Sequence, residues 1–175
     1  MLLQIEKPYA RVIYKKIIKT GMGDLIIDET CDSNDGCILL ENIGHGRDIF
    51  VRVPVEGYFE LSKNRGGGSE GVQNTVRLYA MAWDCLCDRK PAIDECIEKR
   101  KSGDVQAELV ICLASQLKLS ISKGYKLVDI RKYWVPPDSS KEVPTKLGVS
   151  LKFAEFRRLF DDGLKDRLDE LVSGL

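Results

Sequence analysis

The sequence predicts an α+β fold built from antiparallel strands, on three observations. Short β-branched and apolar runs, cut by turn formers, fill residues 7–64. Four further strand-like runs follow between Leu109 and Leu151. The chain then closes on one apolar stripe at helical spacing: Phe153, Phe156, Leu159, Phe160, Leu164, Leu168 and Leu171. The last part therefore reads β-β-β-β-α, a small sheet that the apolar stripe of the helix must cover.

In the first region (7–64) the runs are Arg11-Val12-Ile13-Tyr14, Leu25-Ile26-Ile27-Asp28, Cys37-Ile38-Leu39-Leu40-Glu41 and Ile49-Phe50-Val51-Arg52-Val53. Thr20-Gly21-Met22-Gly23, Ser33-Asn34-Asp35-Gly36 and Gly44-His45-Gly46 separate them, and Asn34-Asp35-Gly36 suggests a hairpin. Pro54 suits the first turn of a helix over Val55–Lys63. The second region (65–103) opens on the glycine run of Arg65-Gly66-Gly67-Gly68-Ser69, read as a flexible loop because no Gly-Lys-Ser/Thr follows to hold a phosphate. Val72, Val76, Tyr79, Ala80, Trp83 and Leu86 then predict a helix over Val72–Cys87, and Pro91 starts a second over Ala92–Lys101. Membership of that stripe makes Tyr79 and Trp83 core or interface residues. In the third region (104–175) the strands are Leu109–Leu113, Leu117–Ile121, Tyr125–Trp134 and Gly148–Leu151, with a turn at Ser122-Lys123-Gly124 and a loop at Pro136–Ser140. Phe153–Leu171 is the closing helix.

Composition narrows the function. Of 175 residues, 43% are hydrophobic and 31% charged, as in globular proteins. No apolar run reaches the length of about 20 residues that crosses a bilayer, and the first residues lack a secretory pattern, so the expected location is nuclear or cytoplasmic, away from membranes. The six cysteines, Cys31, Cys37, Cys85, Cys87, Cys96 and Cys112, contain no CxxC pair, and His45 is the only histidine. No metal site, cofactor or nucleophile motif is expected, and the chain does not read as an enzyme. Twenty-seven basic residues balance twenty-seven acidic ones, which argues against a non-specific grip on duplex DNA. The charge is uneven, however: Lys118 to Arg158 holds ten basic against four acidic residues, a local stripe suited to a groove.

Two motifs are more specific. Val128-Asp129-Ile130-Arg131-Lys132-Tyr133-Trp134 is similar to a strand ending Asp-Ile-Arg-x-Tyr-Trp, and Pro144-Thr145-Lys146-Leu147-Gly148-Val149-Ser150-Leu151 to a Pro-x-Lys/Arg-x-Gly-Ile/Val-Ser-Leu segment. In this order, and followed by an aromatic-bearing helix, they resemble the single-stranded-nucleic-acid-binding domain of the transcriptional coactivator family positive cofactor four, over about residues 108–171. The resemblance implies a strongly curved antiparallel sheet backed by the helix, and pairing of two such units. It implies binding of single-stranded DNA or melted duplex, a place beside the transcription machinery, and no catalysis. Matched residue by residue, Trp134 stands at the stacking tryptophan, Arg131 at the signature arginine, Lys123 before the turn glycine Gly124, and Lys146 after the loop proline. Tyr125 and Lys126, next to that turn, complete the candidate contacts. Ser122 stands where the family carries a stacking phenylalanine. Leu147, Leu113, Ser115 and Ser120 replace basic residues. These losses leave open a protein-interaction scaffold with degenerate nucleic-acid binding, or single-stranded RNA as ligand.

The first half contains a weak echo. Gly23–Asp28 parallels Gly124–Asp129, and Val51–Leu61 parallels Val149–Leu159. Two readings stand: residues 7–64 are a diverged second copy, making the chain a covalent pseudo-dimer with extra helices between its halves, or they are an unrelated extension and two chains pair through the third region.

Overall fold

A computed structural model describes residues 13–20, 23–30, 38–44, 49–54, 56–63 and 74–173. The Asn34-Asp35-Gly36 turn, His45, Cys31, Cys37 and the glycine run at 66–68 lie outside these residues. The strands are antiparallel throughout: a two-stranded hairpin of β1 (Ile13–Thr20) and β2 (Gly23–Thr30), then two four-stranded meanders. The first meander joins β3 (Leu39–Asn42), β4 (Ile49–Val53), β5 (Tyr58–Lys63) and β6 (Asn74–Tyr79) in sequence order. α1 (Ala80–Lys101) leaves β6 without a break. The second meander joins β7 (Leu109–Ala114), β8 (Leu117–Ile121), β9 (Leu127–Trp134) and β10 (Val143–Lys152), and α2 (Phe153–Arg158) leaves β10 in the same way. α3 (Asp162–Leu168) and a π-helical stretch, Asp169–Ser173, end the described chain.

The α+β class holds, and several elements differ from their sequence-based expectation. The helix expected over Val55–Lys63 is instead a turn and β5. Gly57 takes φ +98°, which only glycine adopts without strain, and Phe59 and Leu61 are buried at a period of two. Of the helix expected over Val72–Cys87, Asn74–Tyr79 is instead strand paired with β5 and the helix starts at Ala80, while Val72 and Gln73 lie outside the described residues. Val76 and Leu78 are buried two residues apart and fill the sheet's inner face. Residues on both sides of position 64 thus share one sheet. The two helices expected in 72–101 are a single helix that runs through Pro91. Pro91 is exposed, and it lacks the N–H that would otherwise bond the Cys87 carbonyl. The single closing helix is divided after Arg158, where Leu159 and Phe160 make tighter turns to Phe156 and Arg157.

The two meanders share strand order and the phase of their buried positions, while the second alone carries register shifts, in β7 and β10. Leu39–Val53, Val51–Leu61 and Leu61–Val76 are partners in the first. Leu109–Ile121, Leu119–Ile130 and Ile130–Val149 are partners in the second. One buried core unites them, with β6 against β10 and α1 against β7 and β8. Trp83 is its hub. The indole is fully buried, meets Phe59 edge-on at 5.3 Å, stacks on Phe160 at 5.4 Å and donates its N–H to Asp169 at 2.7 Å. A buried indole needs such an acceptor. This one ties the first sheet, α1 and the C-terminal segment together.

Candidate nucleic-acid interface

β9 sets the geometry. Its inner face buries Val128 and Ile130, and its outer face carries Asp129, Arg131 and Tyr133. Lys132 and Trp134 alternate with Ile130 but lie past the edge of the core, so both are exposed, Trp134 by 49%. The indole is therefore available at the surface. Strand alternation sets it on the face opposite Arg131, beside Lys132.

The two sequence motifs form one hydrogen-bonded unit. Arg131 donates from Nε and Nη2 to both carboxylate oxygens of Asp129, at 2.9 and 3.0 Å. Its Nη1 donates to the carbonyl of Thr145 at 2.8 Å. Ser150 donates its hydroxyl to Asp129 at 2.6 Å. Gly148 pairs with Arg131 across the strands, and the register of β10 shifts between Pro144 and Gly148. The Thr145 hydroxyl holds that irregularity by donating to the Lys132 carbonyl at 2.9 Å. The hydrogen bond to Asp129 raises the pKa of the Arg131 guanidinium, against a smaller opposing effect of burial. Arg131 is thus anchored and shapes the bulge that presents Lys146 and Leu147, both exposed.

The other candidates sit at the opposite end of β9. Lys123, Gly124, Tyr125 and Lys126 form the β8–β9 turn, where Gly124 has φ +79° and the Tyr125 N–H donates to the Ser122 carbonyl at 3.3 Å. Tyr125 is 65% exposed. Lys123 pairs loosely with Glu108 at 3.6 Å, whereas Lys126, Lys132 and Lys146 are exposed with no ion-pair partner among the described residues. Seven residues of strand separate Leu127 from Trp134, roughly 23 Å at about 3.3 Å per residue. The six candidates therefore form two groups, Lys123, Tyr125 and Lys126 at one end, Trp134 and Lys146 at the other, with Arg131 between them.

Sequence reasoning missed three contributors. Arg100, at the end of the buried stripe of α1, is only 3% exposed and has carbonyls for all its partners. Its Nε and Nη2 donate to the Tyr125 carbonyl at 3.3 and 3.0 Å, and Nη1 donates to the Asp104 carbonyl at 3.1 Å. It clamps the turn that carries three candidate contacts. Its place on the Ile93, Ile97, Arg100 stripe was a readable signal of its burial, though not of its partners. Lys118 and Tyr133 were also missed: the ammonium lies over the Tyr133 ring at 5.1 Å and is paired with Glu142. That hydrogen bond raises the lysine pKa. Among the described residues no three His, Cys, Asp or Glu converge to hold a metal, and no helix is long and apolar enough to cross a membrane.

Neither a curated protein nor a solved structure matches the chain. One family does: residues 115–161, from the β7–β8 turn through α2, match the family described as Transcriptional Coactivator p15 (PC4), and the matched segment contains the Asp129–Arg131–Ser150 unit.

Proposed function

We propose that this chain binds single-stranded DNA in the service of transcription and is not an enzyme. In this reading Trp134 stacks on an unpaired base, while Lys123, Lys126 and Lys146 track phosphates and Tyr125 offers a second ring. The observation that carries it is the half-exposed indole at the end of β9, within the segment that matches the coactivator family. An indole left that far in water loses much of the roughly 1.5–3 kcal/mol that burial of a large apolar side chain provides. A base regains it, since stacking on an aromatic ring is worth about 1–3 kcal/mol. The lysines supply the charge that a flexible backbone needs, without the large net excess typical of duplex binders.

The shared strand order of the two meanders, each followed directly by a helix, supports a further element of the reading. The unit β3–β6 with α1 and the unit β7–β10 with α2 are a fused pair, spanning about 39–101 and 109–158, so that pairing is intramolecular. The test is titration of the full chain with labelled oligo-dT at low salt. Trp134→Ala is expected to weaken binding about tenfold with unchanged folding. Absence of binding by the unaltered protein to DNA single strands of any sequence rejects the reading.

A further inference from the structure

We propose that the outer face of the first sheet, around Tyr58, Arg77 and Tyr79, is a second surface for single-stranded nucleic acid. This rests on the reading that the chain binds single strands at all, and it concerns a sheet outside the segment matched to the coactivator family. Tyr79 was expected in the core or at an interface. It is instead the last residue of β6, directly opposite Tyr58 on β5, and is 54% exposed. The two rings lie 5.1 Å apart, tilted by 38°. Arg77, on the same face, holds its guanidinium 5.5 Å from the centre of the Tyr58 ring and its Nε 2.8 Å from Glu60. Strand alternation continues this face on β4 through Phe50 and Arg52, opposite Ser62 and Glu60.

Nothing about the core requires these rings. The inner face of the same strands is filled by Phe59, Leu61, Val76 and Leu78. A tyrosine pair with one ring exposed and the other half-buried, beside an arginine, supplies planar faces and a cation, the combination that holds a stacked base and its phosphate. Glu60 holds Arg77 in an ion pair, so the surface contributes stacking more than charge. It also complements the second sheet. Tyr58 and Tyr79 occupy the register that Leu127 and Lys152 hold there, so this sheet has rings where the matched sheet has none.

The test uses the full chain and oligo-dT carrying 5-bromodeoxyuridine. After irradiation, cross-linked peptides are mapped by mass spectrometry. Affinity is measured in parallel for Tyr58→Ala/Tyr79→Ala, for the milder Tyr79→Ser, and for Trp134→Ala. Cross-links at Tyr58 or Tyr79 in addition to Trp134 are expected, with roughly a tenfold loss of affinity for the double variant and a smaller loss for Tyr79→Ser. Cross-links confined to residues 115–161, with both tyrosine variants binding as the unaltered chain does, overturn this inference and leave the Trp134 site standing. A protein partner captured on this face whose binding these variants abolish, without any change in oligonucleotide affinity, overturns it as well. No binding or cross-linking of any kind overturns this inference and the proposed function together.

Discussion

Arg131 lies so closely over Gly148 that a methyl group there would stand 2.8 Å from the Arg131 Cβ and Cγ and 2.9 Å from the carbonyl of Ile130. Glycine is thus the residue that lets the anchored arginine cross β10 just after its register shift. Alanine in a strand is ordinarily better than glycine by about 0.5–1 kcal/mol. Gly148→Ala is expected to do the reverse, lowering stability by about 1–3 kcal/mol through overpacking and displacing the Lys146 bulge. Urea unfolding midpoints check the first effect, and oligonucleotide affinity the second.

Arg100 provides a separable test of how the β8–β9 turn is held. Arg100→Met removes the donors to the Tyr125 and Asp104 carbonyls and is expected to cost about 1.5–3 kcal/mol, the usual worth of hydrogen bonds made by a charged group. It should also weaken single-strand binding, because Lys123, Tyr125 and Lys126 lose their anchor. The control is Lys99→Met, an exposed lysine paired with Glu95, which should change neither. Equilibrium denaturation and binding titrations of the two variants side by side distinguish them.

Alkaline stability follows from Cys87. Burial raises its thiol from the ordinary 9.0 to about 11, against the lowering effect of the Lys165 ammonium. The folded state therefore holds the proton more tightly than the unfolded chain. Its contribution is fully present below about pH 9 and is lost as pH rises through about 11. Thermal melts taken from below pH 9.0 upward through about pH 11 should show a decline in stability that is shallower in Cys87→Ala than in the unaltered chain.

If the two meander-and-helix units are each other's partner, the chain needs no second copy. Light scattering coupled to size-exclusion chromatography is then expected to give a mass near 19.7 kDa at micromolar concentration. A particle of twice that mass would show that pairing is between chains.

How far the sequence could be read depended on local pattern. Ile49–Val53 and Leu117–Ile121 were legible as strands because both alternate, with every second residue buried. β5 was hidden by Pro54, which also fits a helix start, although Tyr58–Lys63 alternates at a period of two. The β6–α1 boundary was hidden for another reason. Val72, Val76 and Tyr79 fall by coincidence at helical spacing from Trp83, and a short apolar run does not by itself distinguish strand from helix. At the candidate site, the motif resemblance marked out the stretch that carries Trp134 and Arg131. It did not show that they lie on opposite faces of β9, nor that Arg131 is anchored by Asp129 and Thr145. Those facts depend on strand phase and on a bulge, which one residue can reverse. Arg100 was unreadable as a clamp because its partners are carbonyls, which every residue carries.

The account's central claim is that the Trp134 indole receives an unpaired base beside lysines that contact phosphates. Trp83, fully buried, serves as an internal reference, so tryptophan emission during an oligo-dT titration reports chiefly on Trp134. The expected result is saturable quenching at low salt that is absent in Trp134→Phe, with log K falling against log salt at a slope of about −2 for three phosphate contacts. An oligonucleotide that binds without altering that emission, or that fails to bind at low salt, would contradict it.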